Sequence, residues 1–385
     1  MEWDPSQFFR SGDVSTYALL VLNQPINENA FGVLCDHASY IICADGGANR
    51  LYEMMKQHGK ESTILPDRIV GDLDSLNPTI RQHYEKLNVP IDEDPDQYST
   101  DFTKCLKYLN SHAADIIASS PRSQQQQQKS TTETRRQQQT LEIVILGGLG
   151  GRVDQAFSQI HHLYMMTQTQ RELRESKKAT TTTTTSQSDS GSHIQNDSDK
   201  LKKKLGSDSD SDSAAGGNLY LVSEESITFV LQKGKNIIHT PATNRPLQGQ
   251  GDGIENGDAS RKRKRENDTR DALPLPPPPA STSTSTSTST FSAAAAAATD
   301  GATESDTETA VEYLFEENIG IIPLSASASI TTTGFEWDVE NWHTEIGGQL
   351  STSNHIRSDI VSVETNVPVL FTVELSERLK RRMKG

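Results

Sequence analysis

Asp72 and Asp74, in the string Gly-Asp-Leu-Asp-Ser, stand two residues apart directly after a short strand-forming segment at 68–70. On extended backbone, residues i and i+2 point to the same side. Two carboxylates so placed suit a hard divalent cation, which takes oxygen ligands. A bare Asp-x-Asp is also an ordinary polar turn; its place at a strand's carboxyl end is what favours a metal. A second acidic string begins at Asp92 and runs through Asp101, just ahead of a helix-forming segment that Thr100 or Asp101 can cap. Acids packed this densely repel one another unless a cation relieves them. With Asp72 and Asp74 they predict a three-carboxylate Mg2+ site.

The string Leu146-Gly147-Gly148-Leu149-Gly150-Gly151-Arg152-Val153-Asp154 joins an apolar run to a helical one. Glycines let backbone N–H groups approach phosphates, and a helix N-terminus adds positive potential. Arg152 adds a forked donor for phosphate oxygens. It is not a Walker loop, because no Gly-Lys-Ser/Thr follows, and Val153 stands where a dinucleotide fingerprint needs its third glycine. A similar turn, Ala44-Asp45-Gly46-Gly47, again links a strand to a helix. Together these turns describe a phosphate-and-metal cleft. Farther on, Trp337 follows Glu336 and lies near Ser351, Ser353 and Asn354 in a β-rich region. It reads either as a core tryptophan or as an aromatic face for a flat or cationic heterocycle.

The elements that must hold these residues change character along the chain. Continuous apolar runs at 17–23 and 40–44 and further strand segments at 68–70, 141–146 and 219–222 alternate with helical segments at 48–58, 78–86, 102–109 and 153–166. That alternation predicts a mainly parallel, Rossmann-like α/β sheet, whose ligands sit at the carboxyl ends of the strands. From residue 226 onward the period shortens to strands at 226–231, 235–240, 319–324, 328–332, 348–352, 360–364 and 369–374, an all-β sandwich. The expected organisation is an α/β nucleotide-binding domain at 1–224 and a β-sandwich domain at 225–385. Three polar, low-complexity stretches, 121–140, 176–217 and 242–310, are expected to be disordered insertions between elements, because they cannot bury enough apolar surface to offset ordering entropy.

Composition excludes several classes. Apolar residues make up 33% of the 385, and no run approaches the ~20 residues needed to span a bilayer. The N-terminus has no apolar signal region. Three cysteines, Cys35, Cys43 and Cys105, form no Cys-x-x-Cys and read as reduced thiols. Against 37 Lys and Arg stand 52 Asp and Glu, a net charge of −15, which disfavours general nucleic-acid binding. The basic run from Arg261 to Arg265 reads either as a solvated charge block or as a nuclear-localisation or nucleic-acid patch. The expected location is the cytoplasm, with a nuclear fraction left open by that run.

Several strings in order resemble the eukaryotic thiamin pyrophosphokinase family: ADGGANRLYE, GDLDS, DQYSTDFTKCLKYL, LGGLGGRVDQ, SITFVLQKGKN, IGIIPL, TTTGFEW and LSTSNH followed by VSVETNVPVLFTVEL. The resemblance spans about residues 17–375, and the three insertions fall between motifs. It implies transfer of the diphosphoryl group of ATP to the hydroxyl of thiamin, giving thiamin diphosphate and AMP. It also implies a homodimer with active sites between subunits. Carried onto this sequence, it makes Asp72, Asp74 and Asp101 the Mg2+ ligands. Arg152, with Asp154 beside it, and the amides of Gly147, Gly148, Gly150 and Gly151 would bind phosphates. Asp45, Gln97 and Thr100 would line the ATP cleft. Asp101 or Asp72 would accept the hydroxyl proton. Trp337, Ser351, Ser353 and Asn354 would contact thiamin. Two rival readings remain at this stage: another Mg2+-dependent phosphotransferase or nucleotide hydrolase, and a nuclear interaction protein.

Overall fold

The computed structural model describes residues 1–10, 15–120, 139–183, 214–246 and 312–381. The chain opens with a two-residue strand, β1 (Glu2–Trp3), and a 3-10 turn at Pro5–Phe9. Then β2 (Tyr17–Val21), β3 (Tyr40–Ala44), β4 (Arg68–Gly71) and β5 (Ile91–Glu93) alternate with α1 (Glu28–His37), α2 (Gly47–Gln57) and α3 (Pro78–Lys86). Helices α4 (Asp101–Ser111) and α5 (Ala113–Ser119) lead to β6 (Glu142–Leu146), α6 (Val153–Thr183) and β7 (Leu219–Val222).

Strands β5, β4, β3, β2, β6 and β7 lie side by side in that order, all parallel. The chain builds outward from β2 to β5, then returns to place β6 on the other side of β2. The order therefore reverses between β2 and β6, where doubly wound sheets bind ligands. All five residues of β2 are buried, as a strand covered on both faces requires. Tyr17, Leu19 and Val21 pack with Phe31, Leu34, Leu51, Met55 and Tyr84 of α1, α2 and α3. Ala18 and Leu20 face the other way, onto Phe102, Leu106, Leu109 and Ile116 of α4 and α5 and Leu163 of α6. The result is three layers.

The second block comprises β8 (Ser226–Leu231), β9 (Gly234–His239), β10 (Thr243–Asn244), β11 (Phe315–Pro323), β12 (Ala328–Thr333), β13 (Trp342–Thr344), β14 (Ser351–His355), β15 (Ile360–Thr365) and β16 (Val369–Leu375). Strand β8 turns back antiparallel to β7, and β16 and β11 follow it, so one sheet runs through residues 224 and 225. A separate five-stranded sheet, β1-β9-β15-β12-β13, closes the sandwich. Its Ile238, Ile330, Val361 and Val363 share a core with Phe229, Ile321 and Phe371 of the large sheet. Trp3 fastens the N-terminus into this core: its ring stacks 5.0 Å from Phe229 and its Nε1 donates to Asn236 Oδ1 at 3.1 Å.

The α/β-then-sandwich order matches expectation, with local differences. Helix α1 was not foreseen, although Asn27 caps it by accepting from Ala30 N at 3.1 Å. Only Ala30, Phe31 and Leu34 of α1 are buried, too few for a clear period. The short edge strands β5 and β13 were also missed. Helix α6 continues well past Met166, and its Thr167 and Gln170 are buried. Of the three polar stretches, 121–138, 184–213 and 247–311 lie outside the described residues. Their margins do belong to the body. Ala214 and Ala215 enter the core, and Thr243 pairs with Phe315. Small residues at these margins bury little area each, so composition alone does not mark them. No helix among the described residues is long and apolar enough to cross a membrane.

Gly217 shows how tight one margin is. A Cβ there would stand 1.8 Å from Leu141 O. Gly217→Ala should therefore force a backbone shift and cost about 1–3 kcal/mol. A thermal melt should show a drop of several degrees; an unchanged transition would mean that this margin is not packed as described.

Candidate active site

The carboxyl ends of β3 and β4 and the first turn of α4 bring three acids together. One carboxylate oxygen each from Asp45, Asp72 and Asp101 lies within 4.8 Å of the others. Asp45 follows β3 with φ 40, and its N donates to Val70 O at 3.0 Å. Its Oδ2 accepts from Ser75 N at 3.1 Å, while its buried Oδ1 has no partner. Asp101 is placed by the helix start, where the Thr100 side chain caps Thr103 N. Gly71 makes the convergence possible, since a Cβ there would come within 2.6 Å of Asp45 Cβ and 3.1 Å of Asp101 Oδ1.

Lys104, one turn into α4, is the one positive charge close to the group among the described residues. Its side chain is 1% exposed, and Nζ stands 3.2 Å from Asp101 Oδ1 and 3.7 Å from Asp72 Oδ2. Burial works against the ammonium. The hydrogen bond to Asp101 and the charges of Asp101, Asp72 and Asp94 outweigh it and hold the pKa above the ordinary lysine value. Gln97 Nε2 donates to Asp72 Oδ2 at 3.3 Å. Burial pushes the Asp45 carboxyl up to about 6; the Ser75 N–H offsets part of this, and Asp101, Asp72 and Asp74 add to it.

The spacing argument for Asp72 and Asp74 does not carry through. Leu73 sits at φ 63, so the backbone between them is not extended and their side chains do not alternate as in a strand. Asp74 lies outside the group of three and accepts from Ser75 Oγ at 2.8 Å. Asp45, which the sequence placed among nucleotide-contacting residues, stands in the group instead. Lys104 was not singled out at all. Its position three residues after Asp101 was the available signal, because i and i+3 share a helix face. Donors that are all oxygen, with one buried oxygen unpartnered, fit a hard divalent cation.

The glycine string lies on the same edge of the sheet, at the end of β6, with β2 between it and β3. Gly147 has φ 69, and a Cβ there would fall 2.6 Å from Leu22 O. Only a glycine permits this turn to close against the end of β2. Gly148 packs against Leu221, and Gly150 and Gly151 both have positive φ. Arg152 and Asp154 pair on the surface at the start of α6, with Nε 3.1 Å from Asp154 Oδ1. This pairing orients the guanidinium and holds the Asp154 pKa low.

The other expected residues form a separate group. Trp337, on the loop between β12 and β13, is 53% exposed, which rules out a core role within this chain. Asn354 clamps it: Trp337 N donates to Asn354 Oδ1 at 3.1 Å, and Asn354 Nδ2 donates to Trp337 O at 2.9 Å. The indole lies 5.1 Å from the His355 ring, and His355 Nδ1 is 2.8 Å from Glu336 Oε2. Ser351 and Ser353 lie on the same strand, β14. Between β14 and β3 the large sheet interposes β11, β16, β8, β7, β6 and β2. At about 4.8 Å per strand the two groups are on the order of 30 Å apart along the sheet.

The fold and the site together define a doubly wound α/β protein with an acidic, cation-fitting group at its carboxyl edge, joined through its sheet to a β-sandwich. The family model for the thiamin pyrophosphokinase catalytic domain matches residues 31–174, and that for the thiamin pyrophosphokinase vitamin B1 binding domain matches residues 306–370. The chain belongs to the thiamin pyrophosphokinase family. It is 34% identical over 158 residues to Thiamine pyrophosphokinase 1 of Oryza sativa subsp. japonica, covering 39% of this chain and 52% of that one. It is 32% identical over 179 residues to Thiamine pyrophosphokinase of Saccharomyces cerevisiae, covering 39% and 54%. In these matches the chain spans about half the length of the relatives. A weaker likeness, 22% identity over 370 residues, extends across 94% of this chain and 87% of Thiamine pyrophosphokinase 2 of Arabidopsis thaliana. The fold is similar to that of thiamin pyrophosphokinase from Candida albicans, with a TM-score of 0.55, 19% identity and coverage of 97% and 93%.

The raised Asp45 pKa has a consequence for the metal-free protein. Folded, Asp45 keeps a proton that the unfolded chain releases between about pH 4 and pH 6. Its stabilising contribution is therefore present below about pH 4 and lost as pH rises through 6. Asp45→Asn, which cannot ionise, should be more stable than the parent at pH 8 by about 1–3 kcal/mol, and the gain should shrink towards pH 4. Melts in chelator at pH 4.5 and 8 check this; an equal gain at both would mean that charge is not the cause.

Proposed function

We propose that this chain transfers the diphosphoryl group of ATP to the hydroxyl of thiamin, producing thiamin diphosphate and AMP. The observation that carries the reading is a three-carboxylate group on the same carboxyl edge of the sheet as the glycine loop at its switch point, in a chain of this family. The thiamin oxygen forms a bond to the β-phosphorus of ATP, and the bond from that phosphorus to the oxygen bridging to the α-phosphorus breaks, releasing AMP.

Asp45, Asp72 and Asp101 would hold a divalent cation, Mg2+ by the chemistry of the donors. When bound, it would neutralise charge on the phosphate chain. The chain's own groups do the rest. The amides of Gly147, Gly148, Gly150 and Gly151 and the N-terminus of α6 face the phosphates. Arg152 offers the guanidinium N–H groups that its pairing with Asp154 leaves free. Gln97 and Thr100 line the nucleotide side, and a carboxylate, Asp72 or Asp101, takes the proton from the thiamin hydroxyl. Asp74 contributes its charge from just outside the group.

Thiamin would stack on Trp337, with Ser351 and Ser353 near it and Asn354 holding the tryptophan in place. One chain cannot bring that group to the carboxylates across roughly 30 Å of sheet. A second copy of the chain can, so the working form is a homodimer with its sites between subunits. Exposed apolar side chains near each half support this: Val153 and Phe157 in the first turns of α6, and Ile346 and Leu350 in the segment joining β13 to β14. Three free cysteines fit a reducing compartment, and we place the reaction in the cytoplasm. The run from Arg261 to Arg265 lies outside the described residues.

Two experiments test this. Purified protein given Mg-ATP should form AMP only when thiamin is added. Thiamin-independent release of ADP or AMP would point to a different phosphotransferase or a hydrolase. Trp337→Ala should raise the KM for thiamin about tenfold, since stacking and cation–π attraction are each worth roughly 0.5–2 kcal/mol. The KM for ATP and the melting temperature should move little, because the indole is half exposed; an unchanged thiamin KM would remove Trp337 from the substrate site.

A further inference from the structure

Lys104 occupies an unusual place for a lysine. Its side chain is 1% exposed, and its ammonium rests on oxygens that belong to the acidic group itself, Asp101 Oδ1 at 3.2 Å and Asp72 Oδ2 at 3.7 Å. Its backbone N donates to Thr100 O at 3.0 Å in the first turn of α4, which fixes it on the same helix face as Asp101. An ammonium cannot ligate a metal. It has three donors and no acceptor, and its charge repels any cation that approaches the oxygens it holds.

Resting on the reading that Asp45, Asp72 and Asp101 take a divalent cation, we propose that Lys104 is a positioning residue that bars free divalent cations from the group. The metal therefore enters already attached to the nucleotide. With Lys104 in place the three carboxylates present a partly neutralised target, too weak to strip a hydrated Mg2+ of several waters. A nucleotide triphosphate supplies further oxygens and several negative charges, which outweigh the single ammonium. The lysine thus sets an order of events: metal and phosphates arrive together, and the acids complete a coordination shell that the phosphates begin. The unpartnered, buried Asp45 Oδ1 is the oxygen left open for that completion, because neither Lys104 nor Gln97 touches it.

The test uses Mn2+ as probe, with the free-ion electron paramagnetic resonance signal reporting binding to the full-length protein. Each variant is titrated without nucleotide and again with α,β-methylene ATP, which lacks the scissile bridging oxygen. Lys104→Met keeps the stem and removes the charge; Lys104→Arg keeps the charge. In the absence of nucleotide, Lys104→Met should bind Mn2+ at least about tenfold more tightly than the parent. Lys104→Arg should match the parent, and the nucleotide analogue should narrow the difference. A merely structural lysine would change the melting temperature in both variants without tightening Mn2+ in either. Equal or weaker Mn2+ binding by Lys104→Met, or a gain in Lys104→Arg as well, would overturn the proposal. If Asp101→Asn still lost Mn2+ in the presence of the analogue, the metal reading would survive that result. Should Asp45→Asn and Asp101→Asn both bind Mn2+ and analogue as the parent does, the metal reading falls and the role of Lys104 with it.

Discussion

Parallel pairing of β2 on both of its edges is the constraint from which the site follows. Val21 is level with Cys43 of β3 on one side and Leu146 of β6 on the other. A slip of one residue would turn Tyr17, Leu19 and Val21 towards the helices that now receive Ala18 and Leu20. With both faces buried, that exchange has no solvent side to absorb it. The locked register brings the turns after β2, β3, β4 and β6 to one edge. It also makes two glycines obligatory: a Cβ at Gly47 would lie 2.2 Å from Val21 O, and one at Gly147 would lie 2.6 Å from Leu22 O.

The same edge bears an electrostatic burden that the fold only partly relieves. Lys104, Gln97 and the Ser75 N–H each take up some of the negative charge of Asp72, Asp101 and Asp45. Asp45 Oδ1 remains without a partner, and both Asp45 and Leu73 hold left-handed backbone, an unfavourable conformation for a residue with a side chain. Such costs persist where the surrounding structure over-determines them, and they concentrate at functional sites. Here the over-determination is visible: Asp45 is held through its own N–H by Val70, through its carbonyl by Ala48 and through Oδ2 by Ser75.

Much of this was legible beforehand, for physical reasons. Strands buried on both faces must be almost wholly apolar, so YALLV and, after its leading glutamate, EIVIL announce themselves, and a glycine string between a strand and a helix marks the edge where they end. What escaped was set by single torsions and by distant partners. How Asp74 stands relative to Asp72 depends on the φ of Leu73, which no residue pattern encodes. Lys104 looked like one charge among many on a helix, because its burial is decided by the distant strands β3 and β4, on which α4 packs. That Trp337 is held outward depends on Asn354, which accepts from its N–H and donates to its carbonyl. The inner margins of the polar stretches were hidden because alanine, glycine and threonine look alike in a packed seam and in a linker.

Strands β10 and β11 give the fold a property unrelated to its chemistry. Thr243 is level with Phe315, and Leu314 N donates to Ala242 O at 2.9 Å, so the chain on either side of residues 247–311 is stitched together at its base. The sandwich bears its ends as a clamp, and lengthening what lies beyond a clamp adds only a logarithmic closure term. The paired ends thus form a base for whatever length of chain they enclose. Because the two ends are already paired, a change in the length of chain between them weighs on the fold only through that slow term, about 0.6 kcal/mol per doubling.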